Sequence, residues 1–77
     1  MTKQVFLTHL AEILVAEPHE LQADAQLDSF KGWDSMGKMG VLTLIDTDVG
    51  VPVPLNWLAE SHTVGHILAL VEQKLTQ

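Results

Sequence analysis

Apolar residues recur along this chain at helical spacing. Phe6, Leu10, Ile13 and Leu14 fall at i, i+4, i+7 and i+8, one face of a helix. The pattern predicts a first helix from about Thr2 to about Ala16, with Thr2 as N-cap and Pro18 barring continuation past Glu17. His9 and Glu12 lie off the apolar stripe, on a face expected to be solvated. From Glu17 to Asp34 the periodicity breaks, with Pro18, Asp24, Asp28, Ser29 and Gly32 spread among isolated apolar residues. A connection of about 17 residues is long for a small domain, and such loops are usually functional or pinned by their own side chains. Leu21, Leu27 and Phe30 are the expected pins. Proline suits a first helical position, so a short helical turn is expected after Pro18.

Periodicity resumes at Ser35. Val41, Ile45 and Val49 are spaced i, i+4, i+8, and Met36, Leu42 and Leu44 widen the arc, predicting a second helix from about Ser35 to Asp48. Gly37 and Gly40 each cost about 1 kcal/mol relative to alanine inside a helix. They are either a surface for close approach by another chain or tolerated glycines near a helix end. Gly50 is the C-cap candidate. Val51-Pro52-Val53-Pro54 reads as an extended linker, and residues 55–60 allow one or two helical turns. The last helix runs from about Thr63 to Leu75, capped by Thr63 or Ser61, with Val64, Ile67, Leu68, Val71 and Leu75 on its apolar face. No repeat, sustained heptad or convincing strand is present. The fold expected is all-α: a single domain over residues 1–77, built as a bundle of three main helices and one short helix with a long first loop.

Composition narrows the function classes. At 77 residues the chain is near the lower limit for a self-sufficient core, and at 47% apolar residues it is too hydrophobic to be disordered. No apolar run approaches the roughly 20 residues of a membrane-spanning helix. Met1-Thr2-Lys3-Gln4 lacks the basic start and long apolar core of a signal peptide, so a cytoplasmic chain is expected; a monomer without membrane insertion is expected as well. Absence of cysteine excludes disulfides, thiolate metal sites and a cysteine nucleophile. The net charge is −6, from ten acids against four lysines, and there is no arginine. Nucleic acid is therefore not an expected partner: the field is repulsive, and no guanidinium fork is present. An acidic surface either speeds encounter with basic patches on other proteins or serves only solubility.

Several chemistries are considered and set aside. His62 and His66 stand at i, i+4, but His62 lies at or before the helix cap and no cysteine or well-spaced carboxylate completes a tetrahedral set, so no metal site is expected. A Ser-His-Asp triad lacks room for a water-excluding pocket and an oxyanion-hole motif. Gly32, Gly37 and Gly40 have the wrong context for a phosphate loop. Trp33 and Trp57 read as core or loop anchors. What remains is Gly32-Trp33-Asp34-Ser35-Met36-Gly37, which puts Asp-Ser at the start of a helix, where backbone N–H groups and the positive end of the macrodipole suit a phosphate. An ordinary N-cap explains the same pair.

In its layout the chain resembles the acyl carrier protein family and, more distantly, aminoacyl and peptidyl carrier domains. The resemblance spans nearly the whole length. It rests on the amphipathic first helix, the long loop, Asp34-Ser35-Met36 opening the second helix, Ile45-Asp46, Val49-Gly50-Val51, Val53-Pro54, a short third helix and Thr63-Val64 opening the last. It implies a non-enzymatic carrier with a four-helix acyl-carrier-protein-like fold. Ser35 would carry a covalent 4′-phosphopantetheine arm whose thiol holds an acyl group as a thioester, with Asp34 presenting the site and Met36 giving an apolar contact. Implied partners are a phosphopantetheinyl transferase, an acyl-loading ligase or synthase, and downstream enzymes of fatty-acid, polyketide or related biosynthesis. Lys38, Met39, Asp46 and Asp48 would meet those partners. Leu42, Leu44, Val53, Leu58 and Ala59 would line an acyl cleft between helices two and three. Lys38 and Gly40 stand where fatty-acid carriers tend to present acids, which favours a specialised carrier serving a dedicated pathway. The alternatives are an aminoacyl or peptidyl carrier and an unmodified acidic helical adaptor of the same fold.

Overall fold

The computed structural model describes residues 1–54, 56–57 and 62–75. Its first helix, α1, spans Lys3–Leu14, and the Thr2 hydroxyl accepts from the Val5 N–H at 3.1 Å as its N-cap. The helix ends two residues before the periodicity suggests. Val15 takes a left-handed conformation (φ 57°, ψ 52°), and the Ala16 N–H returns to the Ala11 carbonyl at 2.9 Å, closing the last turn. Glu17 is then extended, as the residue before proline prefers.

The long connection is ordered by its own apolar residues. A 3₁₀ turn over Pro18–Glu20 begins on the proline as expected, closed by a reciprocal Glu17–Glu20 capping box, and a second spans Leu27–Ser29. Leu21 and Leu27 are buried and Phe30 packs against the core, so all three act as the anticipated pins. Burial of one such side chain stabilises by roughly 1.5–3 kcal/mol, which offsets the ordering of about two loop residues at ~1–2 kcal/mol each, so the pins meet only part of the loop's entropy cost.

The second helix, α2, spans Ser35–Thr43 and continues as a π-helical stretch over Leu44–Val49 before Gly50 caps it at φ 91°. The wider turn keeps Leu44 and Ile45 in the core while Asp46, Thr47 and Asp48 face solvent. Gly50 and Val51 both donate to the Ile45 carbonyl, at 3.0 and 2.9 Å. The last helix, α3, spans Val64–Val71 and runs into a 3₁₀ turn over Glu72–Lys74. Its Thr63 hydroxyl accepts from the His66 N–H, and His66 Nδ1 accepts from the Thr63 N–H at 3.0 Å.

One core joins these elements. Phe6, Leu10 and Leu14 from α1 meet Val41, Leu44 and Ile45 from α2 and its continuation, Val64, Ile67 and Val71 from α3, and Leu21, Leu27 and Trp33 from the loop. The described residues thus form an all-helical chain with three helices and short turns. The short helix expected over residues 55–60 lies outside the described residues except for Asn56 and Trp57.

Where no strand is expected, an antiparallel bridge pairs Gln26 with Thr63. Around it Leu27 donates to the His62 carbonyl, Val64 to Ala25 and Gly65 to Ala23, at 3.0, 3.0 and 2.9 Å. Backbone carbonyls of the loop thereby satisfy the N–H groups that α3 leaves open at its start.

Candidate functional site

Ser35 is the first residue of α2, and the capping is done by its neighbour. The Asp34 carboxylate accepts from the Gly37 N–H at 2.8 Å, while the Asp34 carbonyl takes the Lys38 N–H at 2.8 Å. Ser35 is exposed, and its hydroxyl makes no hydrogen bond among the described residues. With Asp34 as the N-cap, the hydroxyl is left with no structural task. The N–H groups of Ser35 and Met36, at the positive end of α2, make no hydrogen bond among the described residues, whereas the start of α3 is closed by the loop.

Backbone packing holds this corner. Gly32 donates to the Leu14 carbonyl at 3.1 Å, and a Cβ on Gly32 would overlap the backbone at the end of α1. A Cβ on Gly37 would in turn overlap the Gly32 carbonyl oxygen. The end of α1, the Gly32 backbone and the first turn of α2 are therefore stacked in contact, with Trp33, Asp34, Ser35 and Met36 forming the short link between the two glycines. Gly40 faces Ile13, where a Cβ would stand 3.3 Å from Cγ2. The glycines serve contacts inside the chain itself. Their spacing on either side of Asp34-Ser35 was the available sequence signal, but only the fold shows what they touch.

The exposed side of α2 is apolar near Ser35. Met36 is 85% exposed and Met39 53%. Lys38 is half-buried, with Nζ 5.7 Å from the centre of the Trp33 ring, a cation–π contact. Asp46 and Asp48 are exposed at the far end of the same helical axis, in the π-helical stretch. Acids at a helix C-terminus oppose the macrodipole, at a cost of about 0.3–1 kcal/mol each when exposed. Nothing in the packing accounts for their placement there.

Of the residues expected to line an acyl cleft, Leu44 is buried in the core, and Leu42 and Val53 are half-buried against it. Leu58 and Ala59 lie outside the described residues. A shallow depression of about 340 Å³ sits instead at the end of α1, lined by Ala11, Glu12, Val15, Ala16, Glu17 and Glu20. Leu42, Leu44 and Val53 do not border it.

The histidines of the last segment have local work. His62 is half-buried and stacks on Trp57, ring centres 3.8 Å apart and 9° from parallel, with Nε2 at 2.8 Å from the Trp57 carbonyl. His66 stands edge-on to His62 at 5.2 Å and spends Nδ1 on the Thr63 cap. Among the described residues no group of three potential metal ligands comes together. No helix is long and apolar enough to cross a membrane, again among the described residues. A scan against protein-family models, a search of curated proteins and a search of solved structures each found no match for this chain.

Proposed function

We propose that this chain is a carrier protein that bears a 4′-phosphopantetheine arm on Ser35 and presents an acyl group to partner enzymes, without catalytic activity of its own. The observation that carries the reading is the division of labour at the start of α2. Asp34 caps the helix, so Ser35 offers an exposed, unengaged hydroxyl at an open helix N-terminus. A modification site needs accessibility and a firm backbone, and an activating base can come from the modifying enzyme. When bound, the arm supplies a thiol for thioester chemistry, which a chain without cysteine cannot provide.

Each neighbouring residue has a physical role in this reading. The open N–H groups of Ser35 and Met36 and the helix dipole favour a phosphodiester there by about 0.3–1 kcal/mol. Met36 gives the modifying enzyme and later partners an apolar contact beside the hydroxyl. Met39 extends that contact by one turn, and Asp46 and Asp48 offer charge to a basic partner surface further along. Leu42, Leu44 and Val53, with Leu58 and Ala59, are the residues proposed to border the cargo. The near-absence of charge in the first turns of α2 suits a dedicated loading enzyme, in a specialised biosynthetic pathway, over a general fatty-acid role. An aminoacyl cargo is compatible with the same site.

Co-expression with a broad-specificity phosphopantetheinyl transferase, followed by intact mass measurement, tests the reading. The wild type is expected to gain the mass of one arm, and Ser35→Ala none. An unmodified wild type would favour the acidic adaptor, and an arm that persists in Ser35→Ala would move the site elsewhere.

A further inference from the structure

We infer that Lys38 is the counter-ion of the phosphate carried on Ser35, and that it leaves the Trp33 ring to take that role. This rests on the carrier reading of Ser35. Between Asp34 and Thr43 the chain has one charged side chain, Lys38. Its position is electrostatically wrong for an unmodified helix, because a cation in the first turns opposes the positive end of the macrodipole. Among the described residues Lys38 has no carboxylate within ion-pair distance, and it lies half-buried with its ammonium 5.7 Å from the Trp33 ring centre. The neighbouring carboxylate, Asp34, places Oδ1 on the Gly37 N–H at 2.8 Å and makes no ion pair with Lys38.

Ser35 and Lys38 are i, i+3 on one helix, a spacing that brings side chains together on the surface. A phosphate on Ser35 Oγ therefore comes within reach of the lysine stem without any backbone movement. The exchange favours the phosphate, because a charge-assisted N–H···O bond to an anion is among the stronger polar contacts, whereas a partly solvated cation–π contact is weak. The same anion turns the unfavourable placement of Lys38 into a favourable one, as the local field is then negative. Trp33 becomes a reporter: its indole loses a cation when Ser35 is loaded.

The test compares Trp33 indole and Lys38 side-chain NMR resonances in chains with and without the arm. Loading the wild type should move both sets. In Lys38→Gln the Trp33 indole should already be displaced in the unmodified chain and respond little to loading, whereas Lys38→Arg should restore the response. Resonances that stay in place on loading, or an indole shift of equal size in Lys38→Gln, would overturn the assignment. A synthetic chain with phosphoserine at position 35 separates the two proposals. If the transferase adds no arm, the carrier reading fails, yet phosphoserine that moves Lys38 and Trp33 still upholds the pairing. Phosphoserine that leaves both unmoved overturns it.

Discussion

Val15 is the residue held most clearly against its own preference. It is β-branched, yet it adopts φ 57° at the end of α1 and leaves 71% of its surface exposed. A left-handed conformation costs an L-residue roughly 1–2 kcal/mol, and glycine avoids that cost while adding about 0.5–1 kcal/mol of unfolded-state entropy. Because little apolar burial is lost, Val15→Gly is expected to stabilise by up to about 1 kcal/mol, seen as a higher urea midpoint with an unchanged slope. Other caps were legible in the sequence: Thr2, Thr63 and Gly50 are the residue types that their positions require. Val15 was not, since a left-handed C-cap announces itself only when glycine or asparagine occupies it. Asp34 and Ser35 were legible as a pair but not in their separate duties. Which of two adjacent polar residues turns inward to cap depends on a backbone torsion that the sequence does not display.

At the scale of elements, α2 depends on what its glycines leave out. Alanine at either position gains about 1 kcal/mol of helix propensity. At Gly37 the added methyl meets the Gly32 carbonyl, a backbone atom that cannot swing aside, so Gly37→Ala is expected to destabilise by roughly 1–2 kcal/mol net despite that gain. At Gly40 it meets Cγ2 of Ile13 at 3.3 Å, a side-chain end that can yield, so Gly40→Ala should be neutral or mildly stabilising. Parallel urea melts of the two variants distinguish a steric requirement at residue 37 from general intolerance of the helix. Periodicity located α1, α2 and α3 because each puts an apolar arc on a common core. It could not announce the π-helical stretch, where Leu44 and Ile45 suit either turn width. The choice falls to the wider one that turns Asp46, Thr47 and Asp48 outward together.

The whole molecule is small but well gathered. Its Cα radius of gyration is 11.1 Å, close to the roughly 11–12 Å of a compact chain of this length, so the long loop adds no bulk of its own. Net charge of −6 is spread over a surface with few cations. If that field steers partners, association of the loaded chain with a basic partner should slow steeply between low and physiological salt, while dissociation changes little. Stopped-flow measurement reads both rates, and a flat association rate would assign the encounter to Met36 and Met39 instead. The three main helices and the apolar core were readable from pattern alone. The pairing of the loop with the start of α3 was not, because backbone groups carry it and its side chains, Gln26 among them, give no sign.

That pairing constrains how the molecule can open. The hydrogen bonds from Leu27, Val64 and Gly65 tie residues 23–27 to the first turn of α3 as a single mechanical part. A separation of α3 from α2 therefore carries the loop segment along, or breaks three backbone bonds at once.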